Sequence, residues 1–249
     1  MEERLGELLF DLSSTDRLTL LTEIEREKLR LGQLAARLSA TAQETSRHLI
    51  RLSHDDLIGK DSEGLYFVTA YGKAMLRLLP SMEFLSRHRK YFVSHDPTSL
   101  PPSFLERIGE LSESACVEKL GGVLDHLQRV MSEAKEFVWL MADQILPLDE
   151  SSLQRLVERG ISMRAIVPAS EFSSQKLTAN VTIPRNMEMR FVDQVRAGVS
   201  MNDSVAGVVF PEVSGRIDFS IGFAEASRGF YGWCRDLFLY HWEQARKLA

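Results

Sequence analysis

The segment Thr41-Ala42-Gln43-Glu44 constrains the fold most strongly, because it has the pattern of a helix capping box. A threonine at the N-cap accepts a hydrogen bond from the third helical amide, and the glutamate at that position reaches back to the threonine amide. A helix is therefore predicted to begin at Ala42. Its N-terminal face is polar, and its buried side is predicted to contain Thr45, Leu49 and Leu52.

Two amphipathic segments precede this helix, and a hairpin pattern follows it. The first segment runs from Ser14 to Lys28, and a shorter one has apolar residues at helical spacing over 31–38. Downstream, the polar residues 59–64 separate the apolar runs 57–58 and 65–69, which is typical of a β-hairpin. Three helices and a hairpin predict a winged helix-turn-helix, in which the third helix can enter the major groove of double-stranded DNA.

Residues 1–78 are predicted to form this domain, and roughly residues 5–78 resemble the ArsR-like winged-helix group. The resemblance is carried by Ser46-Arg47-His48-Leu49-Ile50-Arg51-Leu52, by Leu57-Ile58, and by the run from Leu65 to Lys73. It implies a DNA-binding domain. These helices contain no paired cysteines and no Cys/His pair, so the metal sensing of some ArsR relatives does not carry over, and neither a metal nor a cofactor is expected.

Base contacts and phosphate contacts are expected from different residues of this domain. Base edges would be approached by Gln43, Thr45 and Ser46, and glutamine suits adenine. Phosphates would be held mainly by Thr41, Arg47, His48, Arg51 and Lys60. For Thr45, the base contact and a place in the core are alternatives, and His48 is equally consistent with a surface histidine that has no role.

The charge of the chain limits how tightly one copy can bind DNA. The net charge is −5, whereas residues 30–60 contain five basic and three acidic side chains. Because phosphate contacts supply much of the affinity for DNA, this modest local excess predicts weak binding by one copy and favours a homodimer on two half-sites. A protein-interaction module is the alternative.

A proline-rich stretch follows the predicted wing. Residues 79–112 are interpreted as a helical and proline-rich linker with a role in dimerisation. Within it, the segment from Tyr91 to Leu111 resembles the archaeal regulators that carry the methanogenesis regulatory protein FilR1 middle domain. That resemblance implies an archaeal transcription regulator with a sensor domain.

Residues 113–249 are predicted to form an α/β effector domain. Apolar runs at 137–141 and 163–167 flank a helical pattern at 152–159, which indicates a β-α-β unit with parallel strands. Further strands are predicted at 187–192, 205–210 and 218–223, and a last helix at 230–248. This half resembles the phospholipase D-like fold. The motif H-x-K-x4-D falls on residues 196–203, where only Asp203 matches, so phosphoryl transfer lacks its nucleophile and no enzyme is expected.

Charged residues near the ends of these strands are candidates for binding a small anionic effector, since ligands bind at strand ends in α/β sheets. They are Arg164, Arg190, Asp193, Arg196 and Asp203. Surface salt bridges are the alternative. Trp233 could stack on a ligand, although the aromatic residues around it in the last helix favour core packing.

The sequence as a whole predicts a cytoplasmic, DNA-binding transcription regulator with a ligand sensor behind it. No run of 18 apolar residues is present, and the first residues are acidic and amphipathic, so neither a membrane span nor a signal peptide is expected. Two alternatives stay open. One is a constitutive DNA-binding or scaffold protein whose second domain only dimerises, and the other is a degenerate phospholipase D-like phosphodiesterase dependent on Asp203.

Overall fold

The computed structural model describes residues 2–118, 120–144, 150–173, 185–225 and 227–247. The chain divides into two compact units, unit 1 (Met1–Leu79) and unit 2 (Pro80–Ala249). Over the described residues, no helix is both long enough and apolar enough to cross a membrane.

Unit 1 contains five helices and a two-stranded antiparallel sheet. Its elements are α1 (Glu2–Leu12), α2 (Thr15–Arg26), α3 (Leu31–Leu38), α4 (Ala42–His54), β1 (Ile58–Lys60), β2 (Tyr66–Val68) and α5 (Ala70–Arg87), the last of which ends in unit 2. Ile58 pairs with Val68 and Lys60 with Tyr66. The predicted order of three helices and a hairpin is therefore confirmed, and this is the architecture of a winged helix-turn-helix.

Local sequence explains where α4 begins and how α5 approaches the hairpin. The Thr41 hydroxyl accepts a hydrogen bond from the Glu44 amide at 3.2 Å, and the Glu44 carboxylate accepts one from the Thr41 amide at 3.0 Å. A Cβ atom at Gly72 would lie 2.1 Å from the Leu57 carbonyl oxygen. Only glycine therefore allows the first turn of α5 to pack this closely against the residue that precedes β1.

Unit 1 has its own apolar core, formed by one side of each helix and by the hairpin. The most deeply buried side chains in it are Leu20, Leu21, Leu34, Leu49, Leu52 and Leu57. The predicted buried side of α4 is confirmed, since Thr45, Leu49 and Leu52 are all buried.

The beginning of unit 2 corrects the interpretation of residues 79–112 as a linker. This stretch forms the end of α5, then α6 (Arg89–Phe92), a 3-10 turn (Pro97–Ser99), α7 (Pro102–Glu106) and a second 3-10 turn (Ile108–Leu111). Its apolar side chains belong to the largest core cluster of unit 2, to which they contribute Phe84, Tyr91, Leu100, Phe104, Ile108 and Leu111. A linker would leave these side chains in water, whereas burying each of them stabilises the fold by about 1.5–3 kcal/mol.

The remainder of unit 2 is a mixed sheet with helices. Its elements are β3 (Ala115–Glu118), α8 (Leu120–Ser132), β4 (Phe137–Met141), α9 (Glu150–Glu158), β5 (Ser162–Pro168), α10 (Ala169–Ser173), β6 (Met187–Val192), β7 (Gly198–Asn202), β8 (Ala206–Val209), β9 (Ile221–Glu225), α11 (Arg228–Gln244) and β10 (Arg246–Lys247). The strand order is β10-β6-β5-β4-β7-β8-β9-β3.

The parallel part of the sheet is the part that the sequence predicts. Strands β4, β5 and β6 pair in parallel, with Phe137 opposite Ser162 and Met163 opposite Met187. The β4-α9-β5 connection confirms the predicted β-α-β unit, and Gly160 has a positive φ of 69° two residues after α9 ends. The other pairs are antiparallel. Strands β3, β7 and β10 are not predicted, and the last helix ends earlier than expected because residues 246 and 247 pair with β6.

The two faces of the sheet are covered by different helices. One face packs with α11, whose Phe230, Trp233 and Leu237 are fully buried. On the other face, Val138 and Leu140 of β4 pack with Val130 of α8 and with residues of α9. Both faces are therefore apolar, as expected for a layered α/β domain.

Candidate nucleic-acid interface

One face of α4 is open to solvent and has the composition of a DNA-reading surface. Gln43, Arg47 and Ile50 follow one another at helical spacing and are exposed, and Ser46 is partly exposed between them. Ile50 is 65% exposed, so an apolar side chain also lies on this face. We call Gln43, Ser46, Arg47 and Ile50 the open face of α4.

Thr45 does not belong to the open face. It is 0% exposed, and its hydroxyl donates a hydrogen bond to the Thr41 carbonyl oxygen at 2.9 Å. Its expected base contact is therefore corrected, because a hydroxyl in the core cannot reach a base edge. Of the two roles that the sequence left open for Thr45, the core position is the one observed.

Thr41 has a structural task at the start of α4. Its hydroxyl interacts with both the amide and the carboxylate of Glu44, the latter at 2.7 Å. The hydrogen bonds from the Thr41 side chain and amide lower the pKa of Glu44. A carboxylate therefore stays ionised at the N-terminus of α4, where it stabilises the helix dipole but repels phosphate. The expected phosphate contact of Thr41 is replaced by this cap.

His48 and Arg51 point away from the open face and towards the two preceding helices. Arg51 Nη1 lies 3.0 Å from Asp11 Oδ1, and its guanidinium group lies 5.7 Å from the centre of the Phe10 ring. His48 Nε2 lies 3.6 Å from Asp16 Oδ2. Both side chains are engaged within unit 1 by partly exposed contacts, so a phosphate contact of Arg51 or His48 stays a prediction and would have to compete with them. Among the ion pairs of the described residues, none includes Arg47.

The hairpin presents Lys60 next to a well-ordered turn. Lys60 is exposed, and its ammonium group lies 5.2 Å from the centre of the Tyr66 ring. The turn is closed by Asp61, whose Oδ1 accepts hydrogen bonds from the amides of Leu65 at 2.9 Å and Glu63 at 3.1 Å. Gly64 completes it with a φ of 81°. Lys60 therefore extends from the end of β1, beside a turn that hydrogen bonds hold in place.

The expected effector residues of unit 2 do not surround one pocket. Arg164 and Arg190 come together, since their guanidinium groups lie 5.1 Å and 4.2 Å from the centre of the Trp242 ring. Arg190 also donates to the Trp242 carbonyl oxygen at 2.8 Å and pairs with Glu188 at 3.1 Å. These contacts fix α11 to the sheet through cation–π stacking, which is a structural role.

The other four residues differ in their contacts. Asp193 pairs with Arg246, and Arg196 is exposed. Asp203 accepts hydrogen bonds from the amides of Lys135, Glu136 and Phe137. Trp233 is 0% exposed and donates to the Phe104 carbonyl oxygen at 3.1 Å. The expected ligand contacts of Asp203 and Trp233 are therefore corrected, since one caps a strand and the other packs in the core.

A Ser-His-Asp contact that the sequence did not indicate occurs in unit 2. The His95 ring lies between Ser94 Oγ, 3.0 Å from Nδ1, and Asp218 Oδ2, 3.2 Å from Nε2. Nδ1 also lies 2.9 Å from the Tyr91 carbonyl oxygen, which can only accept a hydrogen bond. Nδ1 must therefore carry a hydrogen, so it cannot remove the proton of Ser94 as a catalytic base would. His95 is also buried.

No protein-family model and no curated protein matches the chain. Among solved structures, TrmBL2, described as an archaeal chromatin protein with a novel mode of DNA binding, matches with a TM-score of 0.45 and 12% identity over 94% of both chains. Reduced HlyU from Vibrio cholerae N16961 matches with a TM-score of 0.28 and 26% identity, over 36% of this chain and 90% of its own. The apo form of the S-adenosylmethionine-dependent methyltransferase SibL matches with a TM-score of 0.28 and 11% identity, over 77% of this chain and 63% of its own.

These comparisons lend no support to the phospholipase D-like resemblance of unit 2. The ArsR-like and FilR1 resemblances also stand without a matching family model. The geometry of α4 and the hairpin is therefore the basis for any functional conclusion.

Proposed function

We propose that this chain is a sequence-specific DNA-binding transcription regulator that reads the major groove with the open face of α4. The proposal rests on the difference between two sides of α4, one engaged within unit 1 and the other open to solvent. Arg51 and His48 are held by carboxylates of α1 and of the adjoining helix α2, whereas Gln43, Ser46, Arg47 and Ile50 face solvent. The outer side of α4 therefore keeps a cation and an apolar side chain available for contact with a partner.

Each residue of the open face suits a different feature of DNA. The Gln43 amide can form two hydrogen bonds with an adenine edge. Ile50 can contact the methyl group of thymine, which apolar side chains recognise in the major groove. Arg47 can hold a phosphate or a guanine, and Lys60 can hold a phosphate beside the groove. The open face therefore favours an A/T-containing site with few phosphate contacts.

The small number of available cations supports a homodimer. The open face of α4 and the hairpin of one copy offer Arg47 and Lys60, and two cations would give weak binding because affinity depends on phosphate contacts. Unit 1 also exposes large apolar side chains on its first and last helices, namely Leu5, Leu9, Tyr71 and Leu78. A second copy that covers part of this apolar surface would place two recognition helices on half-sites about one helical turn apart.

Unit 2 is proposed to respond to a ligand rather than to catalyse a reaction. In support, Asp203 is engaged by three backbone amides and His95 by a carbonyl oxygen and a carboxylate. Neither side chain is arranged as an acid or base beside a cleft. The resemblance to archaeal regulators with a FilR1 middle domain agrees with a sensor role.

DNA binding can be tested with duplex DNA from upstream of the chain's own gene, at two salt concentrations, by fluorescence anisotropy. Arg47→Ala is expected to weaken binding at least tenfold and to reduce the salt dependence by about one charge. Arg26→Ala is the matched control, because Arg26 is an exposed helical arginine that pairs with Glu23. Absence of binding by the wild type at low salt, or equal losses in both variants, would overturn the proposal.

A further inference from the structure

A cavity of about 290 Å³ lies between α8 and the sheet of unit 2. Its walls come from α8 and from strands β3, β7, β8 and β9. Most of its lining is apolar, and the side chains that define it are Val117, Val123, Leu124, Leu127, Phe219 and Val209. Its polar members are Ser200, His126 and Gln144.

The cavity exists because the sheet face under α8 is made of small residues. Ser200 is opposite Gly207, Gly207 is opposite Ala224, and Gly222 is two residues before Ala224 on β9. Paired residues on neighbouring strands point to the same face of a sheet, and so do residues two positions apart. Four adjacent positions therefore project at most a methyl or hydroxymethyl group towards α8, where larger side chains would fill the layer.

Gly207 and Gly222 not only leave space for the cavity but also allow neighbouring side chains to lie directly against the backbone. A Cβ atom at Gly207 would lie 2.4 Å from His126 Nε2, and one at Gly222 would lie 2.5 Å from the side chain of Val209. These contacts bring His126 against the sheet and let the Val209 side chain lie over Gly222. They leave the remaining space beside them unfilled, although protein interiors are otherwise closely packed.

His126, which is part of the cavity wall, is uncharged near neutral pH because it is buried. Its side chain is 9% exposed, and its Nε2 has no hydrogen-bond partner among the described residues. Burial lowers the pKa of His126, and a hydrogen bond to the backbone of Ser200 opposes this only in part. Among the described residues that line the cavity, none is a carboxylate, a lysine or an arginine, so an anion would lose its hydration there without gaining a counter-ion.

We propose that this cavity is the ligand site of unit 2 and that it binds a neutral, mainly apolar molecule about the size of two fused aromatic rings. A dry apolar cavity of about 150 Å³ holds benzene, so roughly twice that volume fits a bicyclic ring or a comparable aliphatic group. Ser200 and Gln144 can bind one polar substituent. The binding site itself does not depend on DNA binding; only its role as an effector site rests on the proposed function.

The test measures binding of 2-naphthol to the full chain without DNA, by isothermal titration calorimetry and by thermal denaturation. Phenol, which is smaller, and naphthalene-2-sulfonate, which is anionic, serve as comparison compounds. Val117→Phe fills the cavity from β3, and Ala224→Leu fills it from β9. Val213→Phe is the matched control, since Val213 is 73% exposed outside the cavity.

We expect 2-naphthol to bind the wild type and Val213→Phe with equal affinity and to raise the melting temperature of both, because a ligand of the native state stabilises it. Affinity should fall at least tenfold for phenol, for naphthalene-2-sulfonate and for each filled variant. A folded, filled variant that binds 2-naphthol as the wild type does would overturn the proposal. So would the absence of binding to the wild type, or stronger binding of the sulfonate.

Discussion

Asp203 shows how a single carboxylate can hold the edge of a sheet. Its Oδ1 accepts hydrogen bonds from Glu136 at 2.9 Å and from Phe137 at 3.2 Å, and its other oxygen accepts one from Lys135. Burial raises the pKa of Asp203, but these amide donors outweigh it, so that the pKa lies below its ordinary value. The ionised side chain therefore ties the start of β4 to the end of β7.

Removing this carboxylate should destabilise unit 2. Asp203→Ala leaves three amides without their acceptor, and we expect the free energy of unfolding to fall by about 1.5–3 kcal/mol. Because the folded pKa is lowered, the contribution of Asp203 is complete above the unfolded pKa of about 4 and is lost as the pH falls through the folded value. Urea denaturation at pH 7 and at pH 3 measures both effects.

Asp125→Asn provides the control for this prediction, since Asp125 is exposed on α8. It should leave the free energy of unfolding within about 0.5 kcal/mol of the wild type. If Asp203→Ala were as stable as this control at pH 7, the capping role would be contradicted.

Ile50 should separate DNA recognition from stability. Because the side chain is 65% exposed, Ile50→Ala is expected to change the free energy of unfolding by less than about 0.5 kcal/mol. On the proposed function, it should also remove the preference for thymine methyl groups. The measurement compares the affinity for a duplex that the wild type binds with the affinity for the same duplex in which uracil replaces thymine. The wild type should prefer thymine, and the variant should bind both equally; a wild type indifferent to the methyl group would exclude this contact.

At the scale of the element, α4 depends on its cap. Thr41→Ala removes the hydroxyl that accepts from the Glu44 amide, and we expect the free energy of unfolding of unit 1 to fall by about 1 kcal/mol. Thr19→Ala is the matched control, because the Thr19 hydroxyl donates only to the Thr15 carbonyl oxygen within α2 and alanine favours the helix. Thermal denaturation measures the melting temperature of both variants, and that of Thr41→Ala should be the lower. Equal melting temperatures would contradict the prediction.

The elements that could be predicted are those whose signal is local. The residues of the α4 capping box lie within a few positions of one another, and so do the residues of each apolar run that forms β4 or β5. These elements form as expected. Strand β7 has the sequence Gly-Val-Ser-Met-Asn, which has little intrinsic strand preference, and β10 is two residues long. Both are strands because of partners distant in sequence, Met141 for Val199 and Phe191 for Arg246.

The candidate sites show the same limit. Helical spacing identifies the exposed side of α4, so Gln43, Ser46 and Arg47 could be selected from the sequence. Spacing cannot show that Asp11, forty residues away, pairs with Arg51. Nor can it show that glycines on neighbouring strands meet under α8, since the register of β7, β8 and β9 is set by tertiary contacts. Proline-rich residues 97–102 also look like a linker until the aromatic core around them is known.

At the scale of the whole molecule, DNA binding should depend on association of two copies. The open face of α4 and the hairpin of a single copy offer DNA two cations, Arg47 and Lys60, while Leu78 on α5 is 59% exposed and apolar. Burying such a side chain fully against a second copy would contribute about 1.5–3 kcal/mol, whereas a charge there would have to be desolvated. Leu78→Glu should therefore yield a monomer that keeps its fold and binds DNA at least tenfold more weakly.

Sedimentation equilibrium at micromolar concentration distinguishes the states, and Val213→Glu is the matched control because Val213 is exposed in unit 2. We expect the wild type and Val213→Glu to be dimers, and Leu78→Glu to be monomeric with an unchanged circular dichroism spectrum. A dimeric Leu78→Glu would place the interface elsewhere. A monomeric wild type that still binds DNA selectively would mean that the open face of α4 supplies enough contacts alone, and the half-site argument would then fail while the recognition helix remained.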